Sequence, residues 1–164
     1  MKRLFKTIKY LSLVLLTMGF ANSSHAQEKK SENEIKSLLD SKNFVFKAQS
    51  VSPTGGSVRQ LNTDYDVRVS GDTVQTFLPY FGRSYSAPLG SNEGGIKFTS
   101  TDFDYQLTER KKDRVEVLIR PKDAKDVRQM LLSVSKNGYA SLQVLSNNRQ
   151  PISFNGHVTA KKGR

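Results

Sequence analysis

The sequence predicts an all-β domain, an antiparallel up-and-down barrel of about eight strands with one short N-terminal helix. Apolar and polar residues alternate with period two over most of the chain, which is typical of strands that bury one face. Short turns rich in glycine, asparagine and aspartate separate these runs, so adjacent strands should pair in sequence order. A sheet of that length has two edges to protect, and closure into a barrel removes them.

Residues 1–26 have the three parts of a secretory signal peptide. A segment with four basic residues precedes the apolar run Leu11 to Phe20, and a small-x-small site ending at Ala26 follows. The apolar run is roughly half the ~20 residues that a membrane-spanning helix needs. We therefore expect cleavage after Ala26, a single β-barrel domain over residues 27–164, and a periplasmic or secreted protein without a membrane span.

Composition excludes several kinds of site. The chain has no cysteine, which excludes disulfides, thiolate nucleophiles and thiolate metal ligands. Of its 26 Lys and Arg residues, four leave with the signal peptide, and the remaining 22 against 15 acidic residues give a net charge of +7. The basic residues are dispersed apart from the clusters Arg110–Arg114 and Lys161–Arg164, neither of which contains an aromatic residue. We therefore expect no nucleic-acid partner.

One helix is predicted near the start of the mature chain. Ser31 and Glu34 have the spacing of a capping box. Ile35, Leu38 and Leu39 then follow at i, i+3 and i+4 and form one apolar stripe. A helix this short is marginal in isolation, so we expect the stripe to pack on the barrel.

Seven apolar runs with period two are predicted to place their side chains on the buried face of the sheet. These runs are Phe44/Phe46/Ala48, Tyr65/Val67/Val69, Phe103/Tyr105/Leu107, Val115/Val117/Ile119, Met130/Leu132/Val134, Ala140/Leu142/Val144 and Ile152/Phe154/Val158. We expect the first and last strands, Phe44 to Ser50 and Ile152 to Ala160, to pair, because their pairing would remove both edges of the meander.

Two hairpin turns are predicted from their residues. Asn137-Gly138 favours a type I′ turn, in which both central residues have positive φ, and Gly71-Asp72 suits a type II′ turn. Two longer connections remain, Ser50 to Asp64 and Pro79 to Gly95. Loops of this length in a compact domain are usually functional or disordered, and the aromatic content of the second indicates an ordered one.

The second long connection contains most of the octet LPYFGRSY, Leu78 to Tyr85, which combines three aromatic residues with an arginine. One interpretation is structural: the rings cover an end of the barrel and Arg83 pairs with a carboxylate. The other is recognition, because tyrosine and arginine are enriched where proteins bind partners. Pro79 and Gly82 allow the chain to turn on either side of the rings.

The candidate site follows from this octet. We expect Leu78 and Phe81 to anchor the loop while Tyr80, Arg83 and Tyr85 face outward. The predicted ligand-binding or partner-binding residues are Tyr80, Phe81, Arg83 and Tyr85.

The order of motifs along the chain also resembles a known family. The resemblance extends from Phe44 to Gly156, and its most specific piece is LPYFGR, Leu78 to Arg83; other members carry alanine where Ser84 stands. Over this range the chain is similar to the secreted bacterial proteins grouped as domain of unknown function 4251. The resemblance implies a lipocalin-like antiparallel barrel in the envelope of a Gram-negative bacterium. It implies no activity, substrate or catalytic residue.

Catalysis and metal binding have little support in the residue pattern. His157 is the single histidine after the signal peptide, and no G-x-S-x-G nucleophile elbow accompanies it. Asp102 and Asp104 share one face of a strand, as solvated carboxylates commonly do. We therefore expect a protein that is not an enzyme and has no metal or other cofactor, and an envelope hydrolase is the least supported function.

Two functions stay open. The first is a binding module whose barrel mouth, lined by the aromatic loop and closed by the N-terminal helix, holds one small apolar ligand. The second is an envelope protein-interaction domain whose barrel is filled by side chains and whose aromatic loop binds another protein. The space inside the barrel separates them, because a lumen filled by rings leaves no room for a ligand.

Overall fold

Nine antiparallel strands form one curled sheet in the computed structural model, which describes residues 33–85, 94–110 and 114–161. A helix, α1, covers residues 33–40. The strands are β1 (Asn43–Pro53), β2 (Arg59–Ser70), β3 (Thr73–Pro79), β4 (Gly95–Ser100), β5 (Phe103–Arg110), β6 (Arg114–Pro121), β7 (Val127–Ser135), β8 (Tyr139–Ser146) and β9 (Ile152–Ala160). The predicted signal peptide, residues 1–26, and the predicted capping residue Ser31 lie outside the described residues.

The sheet confirms the predicted all-β, antiparallel, up-and-down fold as a curled half-barrel. Its strand order is β4-β3-β2-β1-β9-β8-β7-β6-β5, so strands adjacent in the chain are adjacent in the sheet, except at the β4–β5 link. The first and last strands pair, as predicted, with a register from Phe44↔Ala160 to Pro53↔Ile152.

The two edge strands of this sheet are consecutive in the chain. β4 ends at Ser100 and β5 begins at Phe103, yet β4 pairs with β3 while β5 pairs with β6. Because every neighbouring pair is antiparallel, β4 and β5 run in the same direction. Residues 95–110 therefore act as one bent strand that carries the chain from one edge of the sheet to the other. Counted in this way the barrel has eight strands, in agreement with the predicted number.

A polar network holds the bend between β4 and β5. The carboxylate of Asp123 accepts hydrogen bonds from the backbone N–H groups of Thr101 (3.0 Å) and Asp102 (3.4 Å). Ser100 is fully buried, and its hydroxyl donates to the carbonyl of Asp102 (3.2 Å). The turn between β6 and β7, which contains Asp123, thus fastens the point where the chain changes edges.

Apolar side chains fill the interior of the barrel. The rings of Phe44, Phe46 and Phe154 are at most 1% exposed. The other buried members of this core are Leu39, Ala48, Val51, Val67, Val69, Val74, Leu78, Ile96, Val117, Ile119, Val127, Met130, Leu132, Val134, Ala140, Leu142, Val144, Ile152 and Val158. These side chains are all at most 7% exposed, so the described residues of the core leave little space that water can reach.

One glycine allows the first and last strands to approach closely. The register of β1 shifts between Ala48 and Ser50, and Gly156 of β9 lies opposite this irregularity. A Cβ atom at Gly156 would overlap the backbone carbonyl of Lys47. Glycine is therefore required where β1 and β9 approach each other in the middle of the sheet.

Helix α1 covers one end of the barrel, which we call the helix end. Leu39 is 0% exposed, and Ile35 and Leu38 pack partly buried against the core. The Tyr105 hydroxyl donates to the carbonyl of Leu39 (2.7 Å). The predicted docking of the apolar stripe is therefore confirmed.

One of the two hairpin turns differs from its prediction. The positive φ of the β7–β8 turn belongs to Gly138 (85°), whereas Asn137 is outside that region. The Gly138 N–H donates to the carbonyl of Ser135 (2.9 Å), which gives a three-residue hairpin with glycine in the left-handed position. The predicted type I′ turn is therefore wrong. Gly71, with φ 61°, has the sign that a type II′ turn needs.

The connection predicted from Ser50 to Asp64 is mostly strand. β1 continues to Pro53 and β2 begins at Arg59, which leaves a turn of only five residues, 54–58. The first half of β2 is largely exposed on both faces. Without a buried face there is no period-two signal, so the sequence pattern could not indicate this extension.

Candidate functional site

The octet lies at the end of the barrel opposite α1, which we call the aromatic end. Four segments meet there: the 54–58 turn, the 80–85 loop that follows β3, the 122–126 turn and the 147–151 connection. Their placement follows from the register, because the C-terminal end of β1 at Pro53 pairs with the start of β9 at Ile152. The candidate residues are therefore held by strands that are long and well packed.

Tyr80 is the aromatic residue that anchors the loop. Its ring packs partly buried against the core, and its hydroxyl lies within hydrogen-bond distance of the carbonyls of Arg83 (2.8 Å) and Gln150 (3.2 Å). Burial raises the pKa of this hydroxyl above its ordinary value. A Cβ atom at Gly82 would overlap the hydroxyl end of the Tyr80 side chain, so a larger residue there would displace the tyrosine from this position.

Arg149 joins four segments at the aromatic end. Its side chain is only 12% exposed and its Nε atom lies 3.0 Å from the carboxylate of Asp126. One guanidinium N–H donates to the carbonyl of Gly95 (3.2 Å), and the guanidinium group lies 5.0 Å from the ring centroid of Tyr80. This one side chain therefore ties the octet to β4, to the β6–β7 turn and to the connection before β9.

Backbone hydrogen bonds fix the remainder of the loop. The N–H of Tyr85 donates to the carbonyl of Asn148 (2.8 Å), and the N–H of Gln150 donates to the carbonyl of Arg83 (3.1 Å). Ser84 and Arg149 form an isolated antiparallel bridge between these two bonds. The loop is thus paired like a short strand with the connection between β8 and β9.

The other aromatic residues of the octet face outward. Phe81 is 42% exposed and Tyr85 is 72% exposed. The guanidinium group of Arg59 lies 5.1 Å from the ring centroid of Phe81, and Val58 beside it is 60% exposed. Together with the exposed side chain of Arg83, these residues form a surface of rings and cations that we call the end face.

Tyr80 and Phe81 have exchanged their predicted orientations. Leu78 is 1% exposed and anchors the loop, as expected. Phe81 was expected to be the second anchor and Tyr80 to face outward, but the structure partly buries Tyr80 against the core and leaves Phe81 42% exposed. The reason is polar: the Tyr80 hydroxyl lies within hydrogen-bond distance of the carbonyls of Arg83 and Gln150, and a phenylalanine ring could not make these contacts.

The remaining sequence candidates lie elsewhere. His157 is on the outer face of β9, opposite Lys47 of β1. The carboxylate of Asp104 lies 2.7 Å from the ammonium group of Lys122, and that of Asp102 lies 3.8 Å from it. These two carboxylates therefore share one lysine at the bend.

Two cavities bear on binding. One of about 290 Å³ lies at the barrel mouth between β4 and the β6–β7 turn; Ile96, Phe98 and Val127 form its apolar wall and Arg149 borders it. The other is an open groove of about 1070 Å³ on the outer face of β1, β2 and β9. Asp66 and Arg68, which form an ion pair (2.7 Å), both line that groove.

The sequence pattern missed Arg149 and Arg59. Neither belongs to an apolar run, and their contacts join segments that are far apart in the chain, so no local pattern could link them to the octet. The contact between Arg149 and Tyr80 packs the 147–151 connection on the octet.

Comparisons with known proteins agree with this fold. A family model described as domain of unknown function (DUF4251) matches residues 26–158. The chain is also similar to the crystal structure of a DUF4251 family protein from Bacteroides eggerthii DSM 20697. That similarity has a TM-score of 0.62 and 19% identity, and it covers 79% of this chain and 87% of the other. At this identity the likeness shows the fold alone. No curated protein matches the chain, and none of the described helices is long and apolar enough to cross a membrane.

Proposed function

The chain belongs to the DUF4251 family, and since that description names no activity, we propose from the geometry that the protein is a non-enzymatic interaction domain that binds another protein through its end face. The observation that carries this proposal is the contrast between a filled barrel and the exposed rings of Phe81 and Tyr85 on a fixed loop.

The filled interior favours this function over a ligand carrier. Phenylalanine rings from β1 and β9 occupy the centre of the barrel, with Phe44, Phe46 and Phe154 almost completely buried. A lipocalin-like carrier needs a lumen that admits its ligand. Among the described residues, side chains occupy that space, which supports binding at an outer surface or at the mouth.

The fixed loop favours recognition by a surface. Exposed rings and arginines are the residue types that dominate binding energy at protein interfaces. Two backbone hydrogen bonds hold the loop against the 147–151 connection, one from the Tyr85 N–H to Asn148 and one from the Gln150 N–H to Arg83. The loop is therefore fixed before any other protein binds. Binding to a preorganised surface loses less conformational entropy than binding to a mobile loop.

The predicted signal peptide supports a place of action outside the cytoplasm. Residues 1–26 combine a basic segment, an apolar run and a small-x-small site. We therefore place the interaction in the periplasm or outside the cell, with another envelope or secreted protein as the partner.

A second candidate function rests on the cavity at the barrel mouth. Its volume of about 290 Å³ is at the lower end of the range for small-molecule sites, roughly 300–1,000 Å³. The apolar wall, together with Lys97 and Lys125 that also line the cavity, suits a small apolar anion. Titration with anilinonaphthalene sulfonate tests this candidate: saturable fluorescence that is abolished by Ala124→Phe, which would fill the cavity, supports it, and a flat titration rejects it.

Site-specific photo-crosslinking tests the interaction domain. A benzophenone amino acid is placed at Tyr85, and at Tyr139 as the matched control, in the cells that make the protein. Both positions are exposed tyrosines, at 72% and 65%, but Tyr139 lies toward the helix end. The proposal predicts one discrete crosslinked protein at position 85 that is absent at position 139 and absent when Phe81→Ala is added. Equal products at both positions, or none at position 85, would contradict it.

A further inference from the structure

We propose that the partner presents an acidic segment, which Arg59 and Arg83 bind beside the exposed rings of Phe81 and Tyr85. This inference rests on the proposed interaction function and names the chemistry of the partner. It follows from the balance of charge at the aromatic end, the placement of the arginines and the rigidity of the loop.

Among the described residues of the aromatic end, Asp126 and Asp123 are already engaged. Asp126 pairs with Arg149 at 3.0 Å, and Asp123 accepts hydrogen bonds from two backbone N–H groups of the bend. Arg59 and Arg83 are exposed and have no carboxylate partner within the part of the chain that the structure describes. The end face therefore carries uncompensated positive charge, which complements a negative partner.

The position of Arg59 suits a carboxylate next to an apolar side chain. Its guanidinium group lies 5.1 Å from the centroid of the Phe81 ring. Stacking on a ring leaves the N–H groups at the edge of the guanidinium plane available for a carboxylate. Phe81 and Tyr85 then offer apolar area to the neighbouring residues of the same segment.

The number and rigidity of the cations favour a protein over a lipid surface. Membrane-binding basic patches use roughly four to eight Lys or Arg residues on a flexible or helical segment. The end face has two arginines, and the loop that carries Arg83 is held by the Tyr85 N–H bond to Asn148 (2.8 Å). A fixed pair of cations beside two rings matches the size of an interface hot spot.

The test combines the photo-crosslink at position 85 with charge reversal. The variant Arg59→Glu/Arg83→Glu is compared with Arg114→Glu/Lys161→Glu, which changes the net charge equally at the helix end. We expect the first pair to reduce the yield of the crosslinked protein by about tenfold or more and the control pair to leave it within about twofold. Washing extracts with about 0.5 M salt before irradiation should reduce the wild-type yield several-fold, because screening weakens exposed charge pairs. Thermal melts of all variants confirm that they are folded.

The outcomes are distinct. A product that persists in Arg59→Glu/Arg83→Glu and resists salt would overturn the acidic partner while leaving the interaction function intact. The absence of any product at position 85 would overturn both. Sedimentation of the wild-type protein with vesicles of phosphatidylcholine and phosphatidylglycerol, without a protein crosslink, would assign the end face to an anionic membrane and overturn the proposal.

Discussion

Each end of the barrel has a tyrosine whose hydroxyl contacts a backbone carbonyl and whose ring lies beside a cation. At the helix end the Tyr105 hydroxyl donates to the carbonyl of Leu39, and the ammonium group of Lys42 lies 5.1 Å from its ring. At the aromatic end the Tyr80 hydroxyl reaches the carbonyl of Gln150, and Arg149 lies 5.0 Å from its ring. At each end one partly buried tyrosine therefore holds a neighbouring segment in place, and a cation lies next to its ring.

The ends differ in what the tyrosine holds in place. At the helix end it holds an apolar helix against the core, and Leu39 is 0% exposed. At the aromatic end it holds a loop whose other rings remain in solvent, with Tyr85 at 72% exposed. The comparison indicates that the polar anchor fixes a segment, while the neighbouring apolar residues determine whether that segment closes the core or presents a surface.

The largest expected effect is at the helix end. Leu39→Ala removes a fully buried side chain and should lower the free energy of unfolding by about 2–5 kcal/mol. Leu38→Ala, on the partly buried side of the same helix, is the matched control and should have a smaller effect. Chemical denaturation measures both. Equal losses for the two variants would mean that the helix does not dock through Leu39.

The next effect concerns the anchor of the aromatic end. Arg149→Ala removes contacts with Asp126, Gly95 and Tyr80 and should lower the free energy of unfolding by about 1–3 kcal/mol, since a hydrogen-bonded charged group of low exposure is lost. Arg114→Ala, at an exposed position, should change it by less than about 0.5 kcal/mol. Urea denaturation of the two variants measures both values. Indistinguishable curves would show that the contacts of Arg149 with Asp126, Gly95 and Tyr80 do not stabilise the fold.

A smaller effect should come from alkaline pH. Burial raises the pKa of Tyr105 well above its ordinary value. The unfolded chain releases this proton near pH 10, about the ordinary pKa of tyrosine, whereas the folded protein retains it. The contribution to stability is therefore complete below about pH 10 and is lost as the pH rises further. Between about pH 8 and pH 11, the free energy of unfolding should fall less steeply in Tyr105→Phe than in the wild-type protein. Tyr139→Phe, at an exposed tyrosine, is the control, and an unchanged slope in Tyr105→Phe would refute the assignment.

How much the sequence predicts differs between the two ends. The stripe of Ile35, Leu38 and Leu39 has helical spacing, so its buried face follows from the pattern alone. The rings of the octet have no period, and a tyrosine and a phenylalanine side by side can exchange roles. Which of them is buried depends on carbonyls of Arg83 and Gln150 that only the folded chain brings together. The bent strand formed by β4 and β5 shows the same limit. The number of strands was predictable from the alternation of apolar and polar residues. The bend at residues 101–102, where the chain passes from one edge of the sheet to the other, depends on a hydrogen bond to Asp123 from a distant turn.

The central claim is that the aromatic end presents its rings rather than burying them, and the stability of Phe81→Ala tests it most directly. Phe81 is 42% exposed and contacts Arg59 through its ring. Its removal should lower the free energy of unfolding by about 1 kcal/mol or less, the range of an exposed cation–π contact. Arg83→Ala/Tyr85→Ala should stay within about ±0.5 kcal/mol of the wild type. Denaturation curves measured beside Leu39→Ala decide the matter. A loss of about 3–5 kcal/mol in Phe81→Ala, the value of a buried ring, would contradict the account and make the octet part of the core.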